Sequence, residues 1–94
     1  MICELITNLD RLHTTEMGVD RIRKNLKIND EDVVKYCYSK ILKDTATIER
    51  KGKNWYVNVD NCRITVNAHS YTIITAHMLK KWYITLKNLI VLSL

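Results

Sequence analysis

Apolar residues return every third or fourth position through the first half of the chain. Ile2, Leu5, Ile6, Leu9 and Leu12 share one stripe, which predicts a helix over residues 1–12. His13-Thr14-Thr15-Glu16 interrupts it. Thr14 or Thr15 can cap a second helix, and Glu16 suits its first turn. Val19, Ile22 and Leu26 then align while Arg21, Arg23 and Lys24 point elsewhere, predicting a helix over 15–27. Asn29-Asp30-Glu31-Asp32 offers a capping side chain followed by acids at the positive end of a helix dipole. The third helix, over 30–43, buries Val34, Cys37, Tyr38 and Ile41.

Beyond Thr45 the period falls to two, and strands are predicted over 46–50, 55–59, 62–67 and 71–77. Lys51-Gly52-Lys53 is a turn in which Gly52 is free to take positive φ. Asp60-Asn61 suits a two-residue hairpin turn. That length pairs Val59 with Cys62, Val57 with Ile64 and Trp55 with Val66, so six apolar residues share a face. On the other face Asn58 stands opposite Arg63 and Tyr56 opposite Thr65. The last strand has two registers. A two-residue turn at His69-Ser70 sends Tyr71, Ile73, Thr75 and His77 to the core face; a three-residue loop over Ala68–Ser70 sends them to the polar face with Arg63. A buried terminal His beside an exposed Ile74 is the poorer arrangement, which favours the longer loop. The segment 78–94 is apolar at Leu79, Trp82, Leu86, Leu89 and Ile90 and reads as a closing helix, although its β-branched residues also permit a strand. It must pack on the domain or on a second copy, which would make a homodimer.

The pattern describes one α+β domain: N-terminal helices on one face of a four-stranded antiparallel meander, then an apolar C-terminal segment. At 94 residues, with 47% apolar and 27% charged residues, the chain has room for one modest core and is not of disordered composition. No apolar run reaches the roughly 18 residues of a membrane helix and no secretory leader is visible, so a cytoplasmic protein without membrane contact is expected. Cys3, Cys37 and Cys62 are odd in number and form no CxxC, which reads as reduced thiols; Cys37 and Cys62 fall on core faces, where a thiol is inert.

The net charge of +5 is unevenly spread. Glu4, Asp10, Glu16 and Asp20 face only Arg11 in the first twenty residues. Basic blocks follow at Arg21, Arg23, Lys24 and Lys27, at Arg50, Lys51 and Lys53, and at Lys80, Lys81 and Lys87. Clustered cations suit a polyanion such as RNA, because phosphate contacts release counterions; a lysine-rich surface also simply maintains solubility. The polar face of the meander gathers Tyr56, Asn58, Arg63, Thr65 and Asn67, with Thr75 and His77 under the longer loop and Lys53 at the rim. Arg63 can stabilise charge on a phosphodiester and His77 can transfer a proton near neutral pH. β-Propensity alone also accounts for most of this composition. His13, shortly before Arg21, can cap the first helix or join the chemistry. No glutamate is placed on this face. His13, His69, His77 and Cys62 lack zinc-ligand spacing, and with only Gly18 and Gly52 there is no phosphate-binding glycine loop; neither metal nor cofactor is expected.

Three blocks in order, His13-Thr14-Thr15-Glu16-x-Gly18-x-x-Arg21-Ile22-x-x-Asn25-Leu26, Gly52-Lys53-Asn54-Trp55-Tyr56 and Ile64-Thr65-x-Asn67-x-x-Ser70-x-Thr72-Ile73-Ile74-Thr75-Ala76-His77, resemble a small bacterial family catalogued as domain of unknown function 3781. The resemblance spans roughly residues 5 to 80 and carries no established activity. More loosely, helices followed by a four-stranded meander with Arg and His on the open face are similar to the barnase, EndoU, colicin and RelE group of metal-independent ribonucleases, an analogy at the level of fold. That analogy implies RNA as partner and Arg63, His77, Lys53 and either His13 or Arg21 as the acting residues. A winged-helix DNA-binding protein and a non-catalytic homo-oligomeric module are the competing expectations.

Overall fold

The computed structural model describes residues 3–29 and 32–79. The segment read as a closing helix and dimer contact lies, from residue 80 onward, outside the described residues. In chain order the elements are α1 (Glu4–Thr7), a 3-10 turn (Leu9–Arg11), α2 (Glu16–Leu26), α3 (Val33–Ile41), β1 (Thr47–Lys51), β2 (Asn54–Val59), β3 (Cys62–Asn67) and β4 (Ile73–Met78). The sheet is an antiparallel meander in the order β1-β2-β3-β4. Among the described residues no helix is long and apolar enough to cross a membrane.

The expected first helix is interrupted. Thr7 Oγ1 and Asn8 Nδ2 add side-chain bonds to Cys3 O and Glu4 O, which already accept from Thr7 N and Asn8 N, and Asn8 leaves helical geometry at φ −111, ψ 23. The chain then tightens into the 3-10 turn, and Leu5, Leu9 and Leu12 still reach the core. α2 follows the pattern: Thr15 Oγ1 accepts from Gly18 N at 3.0 Å, and Lys27 ends the helix in the left-handed region at φ 55. Gly18 allows a close approach, because a Cβ there would collide with Thr14 Oγ1, itself donating to Ile73 O. α3 starts later than expected. Its cap is Asp32, whose Oδ1 accepts from Lys35 N at 2.9 Å. The buried stripe therefore becomes Val33, Cys37 and Ile41, and Tyr38 is exposed.

The central hairpin has the register its turn demands, Val59 with Cys62, Val57 with Ile64 and Trp55 with Val66. Asp60 and Asn61 take φ 50 and 62, the left-handed pair of a tight hairpin turn. One face of the sheet, from Trp55 through Ile64 and Ala76, closes against Ile22 and Leu26 of α2 and against α3. Lys40 of α3 and Lys43 just beyond its end reach Asp60 Oδ2 at 2.5 and 2.7 Å and tie the helix to the hairpin turn.

Neither regular register describes β4. Arg63 pairs with His77 and Thr65 with Thr75, but Val66 pairs with Ile73, so Ile74 is an extra residue, a β-bulge. Thr75 and His77 therefore lie on the polar face, as the longer loop requires. Tyr71 and Ile73 do not: both are buried in the core. Tyr71 adopts φ 60, which costs a residue with a Cβ roughly 1–2 kcal/mol. Burial of its ring offsets this by about 1.5–3 kcal/mol, and the ring packs 5.3 Å from that of Trp55.

Candidate functional site

The face of the sheet away from the helices carries Thr47, Glu49 and Lys51 from β1, Asn54, Tyr56 and Asn58 from β2, Arg63, Thr65 and Asn67 from β3, and Thr75 and His77 from β4. Alternation puts them there, since their neighbours in sequence fill the core. Arg63 is the best-defined cation. Its Nε donates to Asn58 Oδ1 at 3.0 Å, and its guanidinium carbon lies 6.0 Å from the Tyr56 ring centroid. The terminal guanidinium nitrogens remain for an anion. Arg63, Tyr56, Lys51 and Glu49 line a depression of about 260 Å³. Lys51 Nζ and Glu49 Oε1 are 3.9 Å apart and both exposed, a loose pair that solvent weakens. His77 is half-buried directly across from Arg63 and makes no side-chain hydrogen bond among the described residues.

The expected site residues do not all converge. Arg63, His77, Tyr56, Asn58 and Thr75 share the open face. Thr65 lies in the same rows but is only 6% exposed, which removes it as a free ligand-binding hydroxyl. Asn67 is committed to the loop: its Oδ1 accepts from His69 N, Ser70 N and Ser70 Oγ. Lys53 sits in the β1–β2 turn, where its carbonyl accepts from Ala68 N at 2.7 Å. Arg21 is exposed on α2, across the sheet from Arg63 and His77. His13 lies beside the start of β4, five positions along the chain from His77 at Thr72, and bonds to the Arg11 carbonyl at the end of the 3-10 turn, the capping role. The four residues expected to act together are therefore a pair plus two outliers.

Glu49 was missed. Its signal is the two-residue turn Gly52-Lys53, with Gly52 at φ 56, which sets Glu49 opposite Tyr56. Asn54 Oδ1 is also new: it is buried at the Lys51 end of this face and accepts no hydrogen bond among the described residues. Cys37 and Cys62 lie on the other side, in the core. Burial pushes Cys37 up to about 12 and raises Cys62 as well, so neither forms a thiolate near neutral pH.

The family model described as "Protein of unknown function (DUF3781)" matches residues 6–77. The chain belongs to this family. No curated protein and no solved structure matches it. The DUF3781 span runs from the helix before the 3-10 turn to His77, so it takes in the Arg63–His77 pair and the His13 junction alike. Among the described residues of this DUF3781 domain, no three His, Cys, Asp or Glu side chains gather as a metal site.

Proposed function

We propose that the open face of the sheet binds single-stranded RNA, with Arg63 and Lys51 on phosphates and Tyr56 under a base. The observation that carries this reading is the depression that Arg63, Tyr56 and Lys51 line together with Glu49, whose charge Lys51 faces at 3.9 Å. Asn58 orients the guanidinium, which leaves its paired N–H groups to grip a phosphate. A ring beside a cation on an open sheet suits an unstacked base. Asn58 and His77 stand on either side of Arg63, and Thr75 shares the face, as further hydrogen-bonding groups. The winged-helix alternative gains no support, since α3 buries Val33, Cys37 and Ile41 and begins with Asp32, which phosphates repel.

Fluorescence anisotropy with labelled single-stranded RNA tests this at several salt concentrations. Loss of a charged hydrogen bond predicts an affinity about tenfold weaker for Arg63→Ala, with a shallower salt slope. Lys24→Ala, on α2, should match wild type. Wild-type binding no tighter than that of Arg63→Ala would end the reading.

A second reading, cleavage without metal, is favoured by Glu49 and Arg63 sharing that depression with His77 beside Arg63. Glu49 would take the proton of the 2′-hydroxyl as it attacks the adjacent phosphate, Arg63 would hold the charge and His77 would protonate the leaving oxygen. Incubation of mixed RNA in EDTA decides it. Cleavage should be lost in Glu49→Gln and His77→Ala; intact RNA with clean wild type would leave binding alone.

A further inference from the structure

A second cluster of polar side chains sits where the chain after the 3-10 turn meets the start of β4. His13 pairs with Thr72 as a single parallel bridge; its N–H donates to Tyr71 O at 3.2 Å and its carbonyl accepts from Ile73 N at 2.7 Å. Both ring nitrogens are engaged. Nδ1 lies 2.8 Å from Arg11 O. A carbonyl only accepts, so Nδ1 carries a proton, and in the neutral form of the ring this leaves the Nε2 lone pair facing Thr72 Oγ1, 3.0 Å away. Ser70 Oγ lies 2.7 Å from Thr72 Oγ1 and has Asn67 Oδ1 as a second acceptor at 3.2 Å.

These are the parts of an activated hydroxyl: a nucleophile, a base within hydrogen-bond reach, and a third group that fixes the tautomer of the base. Ser70 can turn its proton to Asn67, which frees a lone pair of Thr72 for attack. Tyr71, between the two hydroxyl residues, is held in the left-handed region, and strained backbone of this kind collects at functional sites. His13 and Ser70 are exposed and Thr72 is half-buried, so the cluster is open to a ligand. Arg11 stacks over the Tyr71 ring at 4.5 Å and brings one positive charge to this junction. One cation suits the single oxyanion of an acyl adduct better than the several charged oxygens of a phosphoryl group.

We propose that His13 and Thr72 form a base–nucleophile pair that accepts an acyl group from an activated ester. Thr72 Oγ1 bonds to the carbonyl carbon while its proton passes to His13 Nε2. The tetrahedral adduct collapses, the ester C–O bond breaks, and the departing alcohol takes that proton. Water then attacks the acyl-threonine with His13 again as base, which releases the acid and restores the hydroxyl. This activity is separate from RNA binding on the open face and does not depend on it.

Two probes test it. p-Nitrophenyl acetate reports turnover, and an alkyl fluorophosphonate, whose phosphorus takes the hydroxyl oxygen as fluoride leaves, marks the residue for mass-spectrometric mapping. The adduct is expected on Thr72 of the folded chain. It should be absent in Thr72→Val, retained in Thr72→Ser, and slower by on the order of 10²-fold in His13→Gln. No adduct on folded wild type, an adduct that survives Thr72→Val, or equally fast labelling of the urea-unfolded chain would overturn the proposal. Circular dichroism establishes that each variant folds. Where His13→Gln does not, the Thr72 variants decide, and an adduct that survives Thr72→Val overturns it.

Discussion

At the scale of single residues, Asp60 shows how one side chain can join two elements. Hydrogen bonds from Lys40 and Lys43 hold its carboxyl below the usual carboxylate range, and the same contact raises Lys40. The sign follows from linkage. A carboxylate depressed in the folded state adds stability above its unfolded value, near 3.8, and loses it as pH falls through the folded value. The raised Lys40 contributes below 10.5 and loses its contribution as pH rises through its folded value. Asp60 is exposed, so the effect is small and sensitive to salt. Asp60→Asn keeps a residue that tolerates the left-handed turn and removes the charge. Urea melts of this variant should show a weaker fall in stability below about pH 4 than wild type. An unchanged acid limb would mean that the two lysines contribute nothing to the anchoring of α3.

At the scale of elements, legibility depended on how local the cause was. The β2–β3 hairpin was readable because Asp60-Asn61 fixes its register within a few residues, and with it the position of Asn58 opposite Arg63. That His77 shares the polar face with Arg63 followed once the longer loop was preferred; their direct pairing did not, since a three-residue loop over Ala68–Ser70 sets Thr75 opposite Arg63. The bulge at Ile74 was not readable, since it reconciles two distant demands: Thr75 and His77 face outward while Tyr71 and Ile73 enter the core. Asn67 and the His13 bridge hold that compromise, and His13 is 59 positions from Thr72. Nor did local periodicity show that Thr7 and Asn8 would interrupt the first helix. Glu49 differs, because its face was available from alternation once Gly52-Lys53 is recognised as a two-residue turn. Tyr71 permits a direct test of the bulge. Tyr71→Ala loses the ring and keeps the φ of 60; Tyr71→Gly loses the ring and relieves the backbone. Both should be less stable than wild type, with the glycine variant above the alanine variant by roughly 1 kcal/mol in urea denaturation. The reverse order would show that the loop relaxes when the ring is gone.

At the scale of the whole molecule, the sheet acts as a partition. Its helix side is closed by α2 over β4 and by α3 against β2 and α2. Its other side holds Arg63, Lys51, Tyr56 and His77. The His13–Thr72 junction lies on neither broad face but at the start of β4. His77 and Thr72 are five positions apart on one chain segment, roughly 16 Å at about 3.3 Å per residue. Substitutions so separated, with no shared partner, act additively within about 0.5 kcal/mol, which is near twofold in affinity or rate. The two proposed activities should therefore separate. Arg63→Ala should weaken RNA binding and leave fluorophosphonate labelling within about twofold, while His13→Gln should do the opposite. The double variant should show each loss at its single-variant size, measured by anisotropy and by adduct mass. The contrary result is equally specific: if His13→Gln lowered RNA affinity as far as Arg63→Ala does, the strand between Thr72 and His77 would carry one continuous nucleic-acid track, and the hydroxyl cluster would serve to position RNA instead of taking an acyl group.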